Sequence, residues 1–435
     1  MLSYGGLNFP LATIGLPLSI YLAPFYAGEI GLPLALLGTA MLIGRFSDVI
    51  TDPIIGIVSD RWRPAIGRRR VWVLIGVPLL AASVWMLFNP PAHAGLWYFL
   101  AWLGLVYITF TMTMLPYQAW GGELSNNYEE RSRITSARQF FSIAGLIAST
   151  LVPALVLSRA GATSADVLHA LGILMLVALP LFGALLFFVV PQPVVPPDAE
   201  RLDLRRSGRQ LWANGPFKRL NIIMLIGYTA ETFRITITLF FARDVIGLTN
   251  IGAIYVAYFV CGFIAVPFWV WLGNRAGKHV ALATAFLIVA ATSVGIFFLG
   301  HGQIVAFTVL FLAKGFCFGA LELLPSSMFA DTADVDTVLS KERRQGLIFS
   351  VSQMVNKMGQ ALGQGLSLNL LALVGYKAAG GNGADALWWL RAFYCLLPVA
   401  MLLPAIVLLR RYPLTKLRHS NLQRFIEARA GIQGP

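Results

Sequence analysis

The sequence predicts an all-α membrane protein, with twelve transmembrane helices in two pseudo-symmetric six-helix halves. Three observations predict it. Of 435 residues, 57% are hydrophobic and only 12% charged, which leaves too little polar surface for a water-soluble fold. Apolar runs long enough to cross a bilayer core of about 30 Å recur along the whole chain. Between them, Lys and Arg gather in every second connection.

In order, the spans are expected at 5–29, 33–59, 71–90, 96–121, 137–158, 167–191, 217–243, 250–273, 279–300, 303–329, 346–375 and 386–410. The first run lacks a basic leader and is expected to stay as a span, not to be cleaved as a signal. Basic connections follow spans 2 (Arg61 to Arg70), 4 (Arg131, Arg133), 6 (Arg201 to Arg219), 8 (Arg275, Lys278) and 10 (Lys341 to Arg344), whereas the odd connections hold little beyond Glu29, His93, Arg159, Asp166 and the pair Arg243 and Asp244. The even connections and both termini are therefore expected in the cytoplasm, as in a multi-pass protein of a bacterial inner membrane. The net charge of +13 follows from this topology, so no nucleic-acid partner is expected. A monomer in the lipid bilayer is.

The connection after span 6 is rich in Pro and charge (Pro191-Gln192-Pro193, Pro196-Pro197, Arg205-Arg206). It divides the chain into an N-terminal bundle 1–191, a cytoplasmic linker 192–215 and a C-terminal bundle 216–411, followed by a basic tail 412–435 with the pattern of an amphipathic surface helix. A parallel repeat crosses the divide: Gly56-x3-Asp60-Arg61 ending in Gly67-Arg68-Arg69-Arg70 takes the place after span 2 that Gly273-Asn274-Arg275-Ala276-Gly277-Lys278 takes after span 8. Two six-helix halves suit a transporter whose solute crosses between them.

Span 2 carries the stretch that composition alone does not explain. Arg45, Asp48 and Asp52 are spaced three and four apart and share one helical face in an otherwise apolar segment. An ionised Asp or Arg at the bilayer centre costs about 2.5 to 3.5 kcal/mol on insertion scales, so such residues normally face a polar cavity and carry function. An Arg45–Asp48 ion pair would account for one carboxylate and leave Asp52 unexplained. Two carboxylates one turn apart repel when both are ionised, and Na⁺ or a proton relieves that cost.

The sequence Arg45-x2-Asp48-x3-Asp52-Pro53-x2-Gly56, followed by Gly67-Arg68-Arg69-Arg70-Val71-Trp72, resembles the glycoside-pentoside-hexuronide:cation symporter family (melibiose-permease type) of the major facilitator superfamily. Pro116-Tyr117-Gln118-Ala119 leading to Glu123-Leu124-x3-Tyr128-x-Glu130-Arg131-x-Arg133 agrees, as does Asp331-Thr332-Ala333-Asp334 followed by Arg343-x2-Gly346-x3-Ser350 and Lys357. The resemblance covers essentially the whole chain. It implies the major facilitator fold and cation-coupled symport, by H⁺ or Na⁺, of a small-molecule substrate, a sugar, glycoside or sugar acid. No cofactor is implied beyond the coupling ion. Asp48 and Asp52 are implied to bind that ion, with Thr51 and Thr111 at positions that can add oxygen ligands. Each threonine could equally bond a carbonyl of its own helix. Arg138 and Lys357 match positions near the sugar and cation sites. Two departures remove carboxylates: Ala12 and Met114 stand where the family pattern has acidic residues of the sugar and cation sites. They favour protons over sodium, and they leave room for an alternative cargo, a lysolipid or other amphiphile, as carried by animal relatives of the same superfamily branch.

The second half adds charges that the resemblance does not cover. Glu231 and Arg234 sit three apart in span 7, as a self-neutralising pair or as lining of the solute path. Lys314 and Glu322 are two turns apart in span 10, too far to pair within one helix. Gating is expected from Asp60, Arg61 and Arg68 to Arg70 with Asp331, Asp334, Arg343 and Arg344, as charge pairs that hold the cytoplasmic side shut in one state. An enzyme is not expected: the five His (His93, His169, His279, His301, His419) have no ligand spacing, and Cys261, Cys317 and Cys395 fall in separate apolar runs.

Overall fold

The computed structural model describes residues 2–62, 64–124, 128–159, 161–192, 211, 213–248, 250–340, 345–414 and 418. The linker and the basic tail fall almost wholly outside them. Backbone N–H and C=O groups have no water to bond in hydrocarbon, so a chain this apolar satisfies them within helices, and long helices stand at every expected span. Spans 2 to 7 run Leu34–Arg61, Arg70–Phe88, Leu96–Glu123, Tyr128–Val156, Ser164–Val189 and Gly215–Phe241. Spans 9 to 12 run Lys278–Phe297, Ile304–Ser340, Gln345–Leu373 and Ala384–Arg410.

Spans 1 and 8 are broken. Asn8–Ile20 meets Leu22–Gly28 at 43°, and Gly252–Ile264 meets Val266–Ala276 at 41°. Proline is the cause in both: Pro24 and Pro267 lack the N–H that would reach back across each break. Spans 2 and 4, by contrast, run unbroken through Pro53 and Pro116. Span 7 ends in a π-turn, Ala242–Ile246, closed by Gly247 at φ +81°. There Asp244 Oδ2 accepts from the Tyr376 hydroxyl at 2.6 Å and from Asn382 Nδ2 at 3.2 Å, which ties the connection after span 11 to the end of span 7.

By length and composition, nine described helices can cross a membrane, and the two bent pairs raise this to eleven. Span 11 is the remaining long helix, 29 residues and so about 43 Å. It falls short in apolarity because it carries Ser350, Ser352, Gln353, Asn356, Lys357, Gln360 and Gln364. Ser350 and Gln353 lie on its exposed side, two turns and one turn before the half-buried Lys357. A polar stripe on an exposed face fits water better than lipid.

Compactness divides the chain into two units. One holds 1–198 with 235–256 and 364–390, and the other holds 199–234 with 257–363 and 391–435. In the first unit, span 11 lies on span 2 at glycines: a Cβ on Gly365 would meet Leu42 Cβ at 2.7 Å, and one on Gly38 would meet Leu368 Cβ at 2.8 Å. Gln364 Nε2 donates to Ser19 Oγ nearby at 2.9 Å. In the second unit, Gly359 and Gly363 seat span 11 on span 7. A Cβ on Gly359 would meet Tyr228 Cβ at 2.6 Å, and one on Gly363 would meet Phe233 N at 2.7 Å. Small residues let helix backbones approach where lipid supplies no hydrophobic drive.

Gly363→Leu should therefore lower stability by about 1–3 kcal/mol through overpacking. Gly104→Ala, where nothing lies within 4 Å, should change it by less than about 0.5 kcal/mol. Thermal melting of the two variants in detergent checks the contrast.

Candidate cation and coupling site

Span 2 meets span 4 through Gly44 and Arg45. Gly44 has no side chain, and a Cβ there would fall 2.6 Å from the Tyr107 ring. The ring fills that space, and the Arg45 guanidinium stands 4.8 Å from its centroid. Arg45 Nη1 also lies 3.6 Å from Asp48 Oδ2, with side chains only 11% and 3% exposed. One cation is thus met by a ring face and a carboxylate, both favourable out of water. Spans 2 and 4 both run from the odd-connection end to the even-connection end. A step of four residues from Gly44 and from Tyr107 therefore brings Asp48 and Thr111 to one level, with Thr51 and Asp52 a turn beyond. Ile55, further along, joins Val71 and Trp72 in a buried cluster against which Met112 and Leu115 pack.

Thr51 Oγ1 and Thr111 Oγ1 are both buried with no hydrogen-bond partner among the described residues. Span 4 makes the contrast itself. Thr109 bonds the Leu105 carbonyl at 2.7 Å and Thr113 bonds that of Thr109 at 2.8 Å, each on its own helix, and Thr111 between them does not. Two carboxylates with two buried hydroxyl oxygens left over suit a small hard cation or a proton with water. Asp48 is 2% exposed and Asp52 half-buried.

The other expected residues lie elsewhere in the molecule. Arg138 is half-buried in span 5, where its carbonyl accepts from Asn8 Nδ2 at 3.1 Å. Glu231 and Arg234 are joined by an ion pair in span 7, and Arg234 is 2% exposed. Lys314 is 1% exposed, with Nζ 5.4 Å from the Tyr394 ring centroid. Glu322, two turns on, is exposed.

At the even-connection end the described ion pairs form within each unit. Arg68 Nη2 and Arg69 Nη2 reach Glu123 Oε1 at 2.6 and 2.5 Å, and Arg69 also donates to Ser59 Oγ at 3.1 Å. Lys278 Nζ lies 2.7 Å from both oxygens of Asp331. Gly67 and Gly277 precede these basic residues at φ +113° and +100°, a region that suits glycine. The repeat seen in sequence is thus one device built twice: a left-handed glycine, then a basic residue opening the third span of the half, then an acid at the end of the fourth. Sequence reasoning named neither Glu123 nor Lys278 as a site residue, nor Tyr107. The repeat itself was the signal for the first two. Arg61 is exposed and Asp334 half-buried, while Arg343, Arg344 and the Asp60 side chain lie outside the described residues.

A family model described as MFS/sugar transport protein matches residues 3–416. The chain belongs to this family. Among its relatives, the inner membrane symporter YicJ of Escherichia coli K12 is 24% identical over 91% of this chain and 87% of its own. The isoprimeverose transporter of Lactiplantibacillus pentosus is 24% identical over 88% and 81%, and the human sodium-dependent lysophosphatidylcholine symporter 1 is 22% identical over 89% and 78%. In fold, the chain is similar to a bacterial homologue of the lysosomal transporter Spinster solved facing inward, with a TM-score of 0.68, 12% identity and coverage of 98% and 97%. The chain is a membrane transporter of the major facilitator fold, and not an enzyme.

Glu123→Gln should loosen the connection 61–70, because it removes a negative charge shared by Arg68 and the 5%-exposed Arg69. A loss of about 1–2 kcal/mol is expected for a partly exposed shared pair. Faster proteolytic nicking of that connection and a lower melting temperature check it, with Glu123→Asp recovering part of the loss.

Proposed function

We propose that this transporter is a symporter that couples the entry of a sugar, glycoside or sugar acid to H⁺ or Na⁺ by alternating access. The observation that carries the reading is the set Asp48, Thr51, Asp52 and Thr111, with two carboxylates and two leftover hydroxyl oxygens held in the membrane beside Arg45. The isoprimeverose transporter among the relatives and the sugar-transport family model support the substrate class. Loaded carboxylates and bound solute stabilise the same conformation, and coupling follows from that shared preference. Lys357, on the polar side of span 11, is the proposed positive group that answers to the occupancy of the pair, with Arg45 the alternative on the same helix.

The orientation proposed is that of a bacterial inner-membrane protein with both termini and the connection 61–70 in the cytoplasm, working as a monomer. A cysteine introduced between Gly67 and Arg68 should resist labelling by an impermeant reagent in intact cells; efficient labelling would reverse the orientation. Arg61, with Asp331 and Asp334, is proposed to bias the closed state of that side, so charge reversal at Arg61 should change transport rate more than substrate affinity.

The substrate is found by a thermal-shift screen of purified protein against sugars, uronates and lysolipids, with and without Na⁺, since a ligand that binds the native state raises its melting temperature. With that solute in hand, Asp52→Asn should abolish gradient-driven accumulation while sparing exchange, because it removes a titratable charge and keeps the bulk. Thr111→Val should weaken the apparent affinity for the coupling ion by about tenfold, the equivalent of one lost ligand bond, and Thr111→Ser should restore it. Uptake at fixed pH with Na⁺ replaced by choline separates the two ions. If Asp48→Asn and Asp52→Asn both accumulate solute with unchanged pH and Na⁺ dependence, the site is wrong.

A further inference from the structure

The second unit contains a cavity of about 60 Å³ whose walls are largely Met224, Phe286, Val289, Phe318, Leu321 and Leu402. Three ionisable residues, Glu231, Arg234 and Glu322, also border this largely apolar pocket, together with Tyr228. The volume decides against a solute site: pockets that hold small molecules run to about 300 Å³ and more. It gives room for a few waters, each needing about 10–15 Å³. Wholly apolar cavities stay dry; here Glu231, Arg234 and Glu322 give water in the cavity polar partners.

The charges around it do not pair off completely. Glu231 is taken by Arg234 on its own helix, and Arg234 also stands 6.0 Å from the Phe311 ring, one turn before Lys314. Lys314 Nζ is buried and has no hydrogen-bond partner among the described residues, only the Tyr394 ring face. The Glu322 carboxylate makes no ion pair or hydrogen bond among the described residues, and Lys314 is about 12 Å away along their shared helix. In the middle stretches of the surrounding elements the other ionisable groups are Tyr228 on span 7, Tyr255, Tyr258 and Cys261 on span 8, Cys317 on span 10, Lys357 on span 11, and Arg391, Tyr394 and Cys395 on span 12, while Lys218, Arg219, Arg275, Lys278, His279, Asp331, Asp334, Asp336, Asp385 and Arg410 lie towards the ends; span 9 contributes Phe286 and Val289 to the wall. Glu322 lines the cavity yet is exposed, so its carboxylate can exchange a proton with water outside as well as with water in the cavity. The oxygen count is too low for a dehydrated metal ion, which takes about six to eight ligands.

We propose that this cavity is a second proton-exchange site, in which Glu322 takes up and releases a proton through cavity water beside the Glu231–Arg234 pair. In the loading step a water-borne proton adds to a Glu322 carboxylate oxygen, the carboxylate charge is lost, and Arg234 keeps its own protons. Release is the reverse, to the same water. Tyr228 carries the consequence outward: it lines the cavity and also packs where Gly359 of span 11 crosses span 7. As part of transport the site rests on the symport reading; as a proton site it stands without it.

Infrared difference spectra of the purified full-length chain in lipid nanodiscs, recorded between about pH 5 and about pH 8 in H₂O and D₂O, read carboxyl protonation directly. The wild type should show a carboxylic-acid C=O band that shifts in D₂O. Glu322→Gln should lose it, while the double variant Asp48→Asn and Asp52→Asn keeps it. If Glu322→Gln does not fold, as judged by melting, Glu322→Asp serves: the band should move in frequency. No such band in the wild type, a band untouched by substitution at Glu322, or one lost only in the Asp48 and Asp52 variant each overturns the proposal. A chain that accumulates solute under neither a proton nor a Na⁺ gradient but keeps the Glu322 band would sink the symport reading and leave this site standing.

Discussion

The contact of Arg45 with the Tyr107 ring and the Asp48 carboxylate is the constraint on which the first-half site depends. A guanidinium in a membrane span has little water to solvate it, so its charge is met by whatever the neighbouring helix presents. Here that is a ring face, admitted because Gly44 leaves its space empty. The contact fixes the register of spans 2 and 4. Once it is fixed, the four-residue step brings Asp48 and Thr111 to one level, and the proposed ion site lies one turn from that contact.

The same rule organises the second unit with different parts. Glu231 and Arg234 neutralise each other within one helix, and Lys314 is left with the face of Tyr394. An aromatic face gives up to about 2 kcal/mol when desolvated, well below the cost of burying an unpaired charge.

Where the helices stand was legible in the sequence, since hydropathy and the alternation of basic connections report directly on which backbone lies in lipid. The positions of the buried charges were equally plain, because an Asp or Lys in an apolar run is visible whatever surrounds it. Their partners were not. Tyr107 under Arg45, Glu123 under Arg68 and Arg69, and Tyr394 beside Lys314 depend on the rotation and register of whole helices, which packing sets and a local pattern does not record. Thr111 differs from Thr109 and Thr113 only in what it fails to touch. Span 11 reads as apolar in outline, yet its amides, hydroxyls and Lys357 make it the least lipid-like of the long helices, and its glycines at 359, 363 and 365 serve two different neighbours.

The two halves share their mouths and differ in their interiors. Gly67 with Arg68, Arg69 and Glu123 is repeated by Gly277 with Lys278 and Asp331. Each sets opposite charges against one another at the same point of its half, which holds a turn in place whatever the cargo. Inside the membrane the repeat fails: span 2 carries Arg45, Asp48 and Asp52, one positive charge against two negative, whereas spans 7 and 10 carry Glu231, Arg234, Lys314 and Glu322, two against two. A duplicated scaffold needs its turns twice. The excess of negative charge in span 2 is what the proposed cation site would draw on, and spans 7 and 10 do not repeat it.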